Sequence, residues 1–345
     1  MTKPEQRRWR VAVLGATGLV GETMIKVLEE RAFAVSEFFA LASNRSLGKV
    51  VTFNGRRYPV IDVDGFDFSK ADIGLFSAGA EVSRVYAPKA AAAGCVVIDN
   101  TSEFRYDDHI PLVVPEVNAA AIAQYRTRGI IANPNCSTIQ MLVALKPIYD
   151  AVGIERITVS TYQSVSGAGK EAVDELAAQT VELVSGRGPV KANVIAKQIA
   201  FNCVPQIDNF QDNGYTKEEM KMFWETRKIF GDDAIRVNAT AVRVPVFYGH
   251  SESVSIETRR KISADDARAL LRAAAGVVVL DERVPGGYPT AATEAANHDE
   301  VFVGRIREDI SHERGLNLWI VSDNIRKGAA TNSVQIAEIL VRDYL

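Results

Sequence analysis

The sequence predicts an α/β protein of two domains, and three observations carry that expectation. A chain of 345 residues is longer than one core of about 150 residues normally absorbs. An apolar run near the start feeds straight into the glycine turn Gly15-Ala16-Thr17-Gly18-Leu19-Val20-Gly21, and alternating strand and helix patterns follow. After residue 135 the pattern changes to long alternating segments, which suit an antiparallel sheet.

Composition narrows the function. Apolar residues make up 47% and charged residues 24%, as in ordinary globular domains. Forty basic against 43 acidic side chains leave a net charge of -3, so no nucleic-acid or membrane-surface partner is expected. The first ten residues are polar and basic, without an apolar signal core, and no stretch approaches the ~18 apolar residues of a membrane span. Three cysteines far apart, with no Cys-x-x-Cys pair, argue against a disulfide framework and against a metal site. A reducing, cytoplasmic setting is expected.

Taken in order, Trp9–Leu14 reads as a buried strand and 19–31 as the helix after the glycine turn. Strand, glycine turn and helix together form a phosphate cradle, because glycines let the backbone approach a pyrophosphate while helix N–H groups point at it. The spacing is Gly-x-x-Gly-x-x-Gly, and a structural turn of the same composition is the alternative. The next strand, 37–42, ends at Ser43-Asn44-Arg45-Ser46. An NAD-type site would need an acidic residue there, whereas Arg45 with two serines suits a 2′-phosphate, so NADP is the expected cofactor. Asn54-Gly55 within 48–60 reads as a hairpin appended to the sheet. Strand 73–77, helix 81–93 and strand Val96–Asp99 continue the alternation, with Cys95 read as core. Arg105, in the loop past the last of these, is a candidate anion ligand, although loop arginines are more often only solvated.

Ile130 and Ile131 end a further strand, and Asn133-Pro134-Asn135-Cys136-Ser137-Thr138 opens a helix that should kink at Pro147. A cysteine at a helix N-terminus meets unpaired N–H groups and the positive end of the helix dipole, both of which favour thiolate. The alternative is a structural cysteine, but the polar flanks suit a site better than a core. Strand 156–163 precedes a small-residue loop, Ser164 to Gly169, and a helix at 170–185. That loop either approaches a cofactor or is a plain connection. Cys203 has no base near it in sequence and reads as structural. Lys217–Phe230 is amphipathic, with Glu218 and Lys221 on one face, a spacing that usually marks a surface ion pair. The strand around Arg243 ends in Gly249-His250, and strands at 301–306 and 316–322 extend the second sheet. Residues 328–344 read as a closing helix.

The glycine turn, 43–49, 133–138, 163–170, Glu218 to Lys221, 243–251 and 323–332 together resemble the aspartate-semialdehyde dehydrogenase family over nearly the whole chain. The resemblance implies an α/β fold: a Rossmann NADP-binding domain, 1–134, and an α+β catalytic and dimerisation domain, 135–325, resembling that of glyceraldehyde-3-phosphate dehydrogenase. The C-terminal helix, 326–345, would return to the first domain, and the assembly would be a homodimer. It implies reversible NADPH-dependent reductive dephosphorylation of L-aspartyl 4-phosphate to L-aspartate 4-semialdehyde, in lysine, diaminopimelate, methionine and threonine biosynthesis. The partners implied are the small-molecule substrate and phosphate. Cys136 would be the nucleophile, His250 the general acid/base, Gln163 the group orienting the substrate, and Asn135 an oxyanion and phosphate contact. Arg243 would hold the substrate carboxylate, Glu218 its amino group, and Arg105 with Lys221 its phosphate. Gly15, Thr17, Gly18, Leu19, Val20, Ser43, Arg45, Ser46, Ser166, Gly167 and Asn324 would meet NADP.

The residue chemistry agrees, since a phosphate and a carboxylate need separate cations and an ammonium needs a carboxylate. Lowering a thiol pKa by two units takes about 2.7 kcal/mol, and a helix terminus supplies ~0.3–1 kcal/mol. A His250 imidazolium is therefore expected to supply most of the thiolate's stabilisation. The alternative readings are an N-acetyl-glutamyl-phosphate reductase, whose blocked amine would leave Glu218 without a task, and a non-catalytic NADP-binding paralogue.

Overall fold

A computed structural model describes residues 7–345; residues 1–6 of the predicted first domain lie outside the described residues. The chain divides into one unit running to Pro134 and including Ala329–Leu345, and a second unit, Asn135–Gly328.

In the first unit β1 (Trp9–Leu14), β2 (Val35–Ala42), β5 (Ile61–Asp62), β6 (Ile73–Phe76), β7 (Val96–Asp99) and β8 (Ile130–Ala132) form a sheet in the order β5-β2-β1-β6-β7-β8. Every pair is parallel. The sequence Trp-Arg-Val-Ala-Val-Leu of β1 is almost wholly buried, as a parallel strand covered on both faces requires. Helices α1 (Leu19–Glu30) and α2 (Ala80–Ala92) make the crossovers, and a short α3 (Pro115–Asn118) follows β7. Because β1 lies between β2 and β6, the chain leaves β1 in opposite senses on its two sides, which puts the ligand crevice at the C-terminal ends of β1 and β6. The predicted hairpin forms between β3 (Val50–Phe53) and β4 (Arg56–Pro59), but as a separate two-stranded sheet. Asn54 and Gly55 both take positive φ, 49° and 72°, the turn whose twist matches its flanking strands. The C-terminal helix Thr331–Asp343 places Val334, Ile336, Ala337 and Leu340 in the same buried cluster as Val11, Val13, Met24, Leu28 and Ile73. Each buried Val, Leu, Ile or Met among them contributes roughly 1.5–3 kcal/mol by its burial.

The second unit is built around α4 (Cys136–Val152), which continues through Pro147 and ends at Gly153 with φ 72°. Residues 137–145 are buried because α4 packs against the sheet and against two neighbouring helices. That sheet contains β9 (Ile154–Gln163), β10 (Arg236–Arg243), β11 (His250–Thr258), β12 (Val277–Val279), β13 (Val301–Glu308) and β14 (Gly315–Ser322), in the order β10-β9-β11-β14-β13-β12. Its centre is antiparallel as expected, but β10 pairs parallel with β9, and β12 with β13. The expectation of an antiparallel sheet therefore fails at both edges: helices α5 (Lys170–Val184) and α6 (Lys217–Phe230) lie between β9 and β10, and residues 280–300 lie between β12 and β13, after helix α7 (Ala264–Ala273), which gives each pair the crossover length that parallel pairing needs.

Candidate active site

Cys136 is the first residue of α4, and Asn135 before it is the cap: φ -62° and ψ 142° are extended, and Asn135 Oδ1 accepts the N–H of Ser137 at 3.0 Å and of Thr138 at 3.4 Å. The cap fixes where the helix begins, and so where the sulfur sits. Two glutamates hold the cap in turn. Asn135 N donates to Glu225 Oε2 at 2.7 Å, and Asn135 Nδ2 donates to Glu218 Oε1 at 2.9 Å. Cys136 is half-buried, and a side chain at Gly328 would come within 2.7 Å of its Cβ. Glycine there keeps the approach to the sulfur clear.

Glu218 organises a second set of contacts. Its Oε1 also accepts from Gln163 Nε2 at 3.2 Å, and its Oε2 accepts from Lys221 Nζ at 2.9 Å. Lys221 reaches Asp208 Oδ2 at 2.9 Å as well. The expected surface pair is thus buried, with Glu218 5% exposed, because α6 packs on β10 and α4. Burial pushes Glu218 up, but the charge and hydrogen bond of Lys221, aided by Asn135 and Arg243, outweigh it and hold the carboxyl down at about 2. Burial lowers Lys221, and Glu218 and Asp208 more than reverse this. Both partners are charged throughout the neutral range.

Arg243 ends β10 and is 5% exposed. Its Nη1 donates to Ser164 O at 2.7 Å, and its Nε has no acceptor among the described residues. Burial lowers its pKa, opposed by the negative charges of Glu218 and a Cys136 thiolate. Arg243 is thus a cation within electrostatic reach of the sulfur.

His250 opens β11 after Gly249, whose φ of +87° suits a residue with no side chain. The ring is fully buried. Ser164 N donates to His250 Nδ1 at 3.1 Å, and Ser164 Oγ lies 3.1 Å from the same nitrogen. A backbone N–H can only donate, so Nδ1 is the acceptor and the proton of the neutral ring resides on Nε2. Nε2 itself has no partner among the described residues, and Gly167 covers it closely enough that a Cβ would lie 3.3 Å away. Burial and then the Arg243 charge push His250 down to about 3. Burial and the neighbouring guanidinium thus argue against the expected imidazolium, and Arg243 is the cation near the sulfur.

Asn324 supports the same turn from behind. Its Oδ1 accepts from Ser164 Oγ at 3.0 Å, Ser166 Oγ at 3.2 Å and Gly249 N at 2.9 Å. The second unit thus brings together Asn135, Cys136, Gln163, Ser166, Gly167, Glu218, Lys221, Arg243, His250 and Asn324. Sequence reasoning missed Ser164, Glu225 and Gly328. Ser164 at least lay in the small-residue loop already singled out.

Arg105 and the glycine turn belong to the first unit. Arg105 is 6% exposed, not solvated, and its Nη2 donates to Asn100 O at 2.9 Å. Gly15 has φ +89°, and a Cβ there would lie 3.0 Å from the Ser77 backbone; a Cβ on Gly21 would lie 2.1 Å from Gly15 O. Gly18 caps α1 with no side-chain bond to the helix N–H groups. This is a bare cradle of the kind a pyrophosphate fills. Leu19 and Val20 follow as the first helical residues. Thr17 Oγ1 lies 3.0 Å from Ser46 Oγ, which brings the turn to the loop of Ser43 and Arg45, and Arg45 is exposed there.

The other cysteines differ sharply from Cys136. Cys95 is buried, as read, and burial pushes its thiol up to about 12. Cys203 is exposed and so is no part of a core.

The class of the chain is set by two family matches: Semialdehyde dehydrogenase, NAD binding domain, over residues 10–125, and Semialdehyde dehydrogenase, dimerisation domain, over residues 145–327. The aspartate-semialdehyde dehydrogenase of Shewanella violacea is 64% identical over 338 residues, 98% of this chain and 99% of that one. The crystal structure of aspartate semialdehyde dehydrogenase II from Vibrio cholerae complexed with ASA matches with a TM-score of 0.97 and 61% identity, over 99% of this chain and 100% of that one. The structure of the Candida albicans aspartate semialdehyde dehydrogenase with NADP matches with a TM-score of 0.75 and 28% identity, over 97% and 98% of the two chains. The chain belongs to the aspartate-semialdehyde dehydrogenase family.

Proposed function

We propose that this chain catalyses the reversible, NADPH-dependent reduction of L-aspartyl 4-phosphate to L-aspartate 4-semialdehyde and phosphate, in the biosynthesis of lysine, methionine and threonine. The observation that carries the reading is the gathering in one unit of a helix-capped thiol, a buried arginine with an unfilled Nε donor, and a buried carboxylate held ionised. Arg243 suits the substrate carboxylate and Glu218 its ammonium. Lys221 is the phosphate's cation in this unit, and Arg105 of the first unit is proposed as another.

The Cys136 thiolate attacks the acyl carbon, the bond to the phosphate oxygen breaks, and a thioester remains on Cys136. His250 holds its proton on Nε2 and presents it as a hydrogen-bond donor to the carbonyl oxygen as that oxygen gains charge. With Nδ1 kept as acceptor by Ser164, the general acid/base role narrows to this donation. NADPH, when bound, would be held at the glycine turn and would supply the hydride for reduction of the thioester carbon. Collapse of the resulting thiohemiacetal anion returns the thiolate, and the proton consumed overall ends on the departing phosphate.

NADP is preferred over NAD on the strength of Arg45 and the two serines beside it, and the NADP-bound Candida albicans structure lends support. The dimerisation-domain match supports a homodimer. Among the described residues no helix is long and apolar enough to cross a membrane, in keeping with a cytoplasmic enzyme. Domain boundaries are proposed at 134/135 and 325/326, beside the division of the chain into units after Pro134 and after Gly328. The test is NADPH formation from aspartate semialdehyde: turnover must require phosphate, and phosphate-independent steady turnover would refute the reading.

A further inference from the structure

The loop that carries Arg105 leaves the end of β7 at Asp99, a carboxyl group that is 0% exposed. Burying such a group is costly unless donors meet it, and three do. Ser83 Oγ, from the buried side of α2, donates to Asp99 Oδ1 at 2.7 Å; Thr101 N donates to the same oxygen at 3.2 Å, and Thr101 Oγ1 donates to Oδ2 at 2.7 Å. A hydroxyl that donates can still accept, and Thr101 Oγ1 accepts the Glu103 N–H at 3.3 Å. The Asp99 side chain thus closes a turn at Thr101, and Thr101 closes the next at Glu103.

These turns fold the loop back on its own start. Arg105 Nη2 donates to Asn100 O at 2.9 Å, and Asn100 is fixed in turn. Its N–H donates to Phe76 O of β6 at 2.9 Å, and its Nδ2 donates at 2.7 Å to Ser333 Oγ on the first turn of the C-terminal helix, which is 0% exposed. The carbonyl that receives Arg105 is therefore anchored to the sheet and to that helix, whereas residues 101–104, which lead to Arg105, lie in no helix or strand. A long side chain on an unheld loop loses freedom each time it binds an anion; one already docked loses less. We propose that Asp99 is a positioning residue for the phosphate site: its bonds to Thr101 hold the loop in the shape that brings Arg105 to Asn100 O, so that the guanidinium is in place before phosphate arrives. Burial raises the Asp99 carboxyl, and the donors of Thr101 and Ser83, then the charge of Arg105, offset part of the rise. The inference rests on the phosphate role given to Arg105 above.

Five full-length variants test it, with inorganic phosphate as the varied reactant: Asp99→Ala, Asp99→Asn, Thr101→Val, Arg105→Ala, and Asp99→Ala with Arg105→Ala. In the oxidative direction Asp99→Ala is expected to raise the KM for phosphate by about tenfold, as for loss of hydrogen bonds to a charged group, with kcat and the KM values for semialdehyde and NADP within about twofold of wild type. Thr101→Val, which exchanges the hydroxyl for a methyl group, should raise the same constant by about threefold, and it decides the matter where Asp99→Ala fails to fold. Asp99→Asn keeps an acceptor for Ser83 and Thr101 N and brings an N–H for Thr101 Oγ1, so it should recover most of the phosphate affinity lost in Asp99→Ala. The double variant should have a phosphate KM no higher than that of Arg105→Ala, because Asp99 acts through Arg105. A merely structural role would lower kcat or raise every KM together. Equal rises in the KM values for semialdehyde and phosphate, no recovery in Asp99→Asn, or additive losses in the double variant would each overturn the proposal. A raised phosphate KM in Arg105→Ala beside wild-type values in folded Asp99→Ala and Thr101→Val would overturn this proposal alone, whereas an unchanged phosphate KM in Arg105→Ala would refute the role of Arg105 and this proposal with it.

Discussion

His250 and Glu252 each hold a protonation state set by their surroundings, Cys136 is assigned a covalent role, and each can be tested. Cys136→Ala should abolish turnover while leaving folding and NADP binding intact, since the sulfur forms the covalent bond and the glycine turn lies elsewhere in the chain. Thioester trapped on Cys203 or Cys95 would refute the assignment. His250 makes a signed prediction about stability. Its folded pKa, about 3, lies below the usual 6.5, so the unfolded chain binds the extra proton between these values. Its contribution is present above pH 6.5 and is lost as pH falls toward 3, at up to about 1.4 kcal/mol per pH unit. His250→Asn should flatten the acid limb of a plot of denaturation midpoint against pH; an unchanged limb would contradict a buried neutral ring. Glu252 has the opposite sign. Its folded pKa is raised, so the penalty grows as pH rises above the usual 4.5, and Glu252→Gln should be relatively more stable at neutral pH than in acid.

Among the elements, two helix N-termini are proposed to carry the chemistry, and they are built differently. In α4 the cap is a side chain, Asn135, which satisfies two helix N–H groups and is itself tied to Glu218 and Glu225. In α1 the cap is Gly18, with no side chain over the helix end. The first end positions a sulfur, and the second leaves donors for a phosphate. Gly21→Ala should therefore be costly, because its Cβ would lie 2.1 Å from Gly15 O. Overpacking of this kind typically costs about 1–3 kcal/mol, and NADP affinity should fall with it; thermal melts and cofactor titration check both. These elements were legible in the sequence because strand, turn and helix leave periodic and compositional marks. The parallel edge pairs β10 with β9 and β12 with β13 were not, since an alternating strand carries no mark of its partner's direction. Nor did the spacing of Glu218 and Lys221 reveal that their helix face would be covered. Ser164, Glu225 and Gly328 act through contacts with residues distant in sequence, which no local pattern records.

For the molecule as a whole, the nucleotide-binding sheet belongs to one unit and the helix that carries the thiol to the other. Arg45→Ala should weaken NADP much more than NAD, and equal losses would mean that Arg45 does not read the 2′-phosphate. Two different arginines are assigned to the two ends of the substrate. Arg243→Ala should raise the KM for semialdehyde and Arg105→Ala that for phosphate, each by roughly thirtyfold or more, as expected when a buried charge loses its partner. Equal effects on both reactants would mean a shared anion site. The central claim is a thioester on Cys136 that phosphate resolves, and one measurement meets it directly: rapid mixing of enzyme, NADP and aspartate semialdehyde without phosphate, followed by peptide mass mapping. The account predicts a single burst of NADPH stoichiometric with enzyme, an aspartyl adduct on the peptide containing Cys136, and steady turnover once phosphate is added. Continuous NADPH formation without phosphate, or an adduct on any other residue, would contradict it.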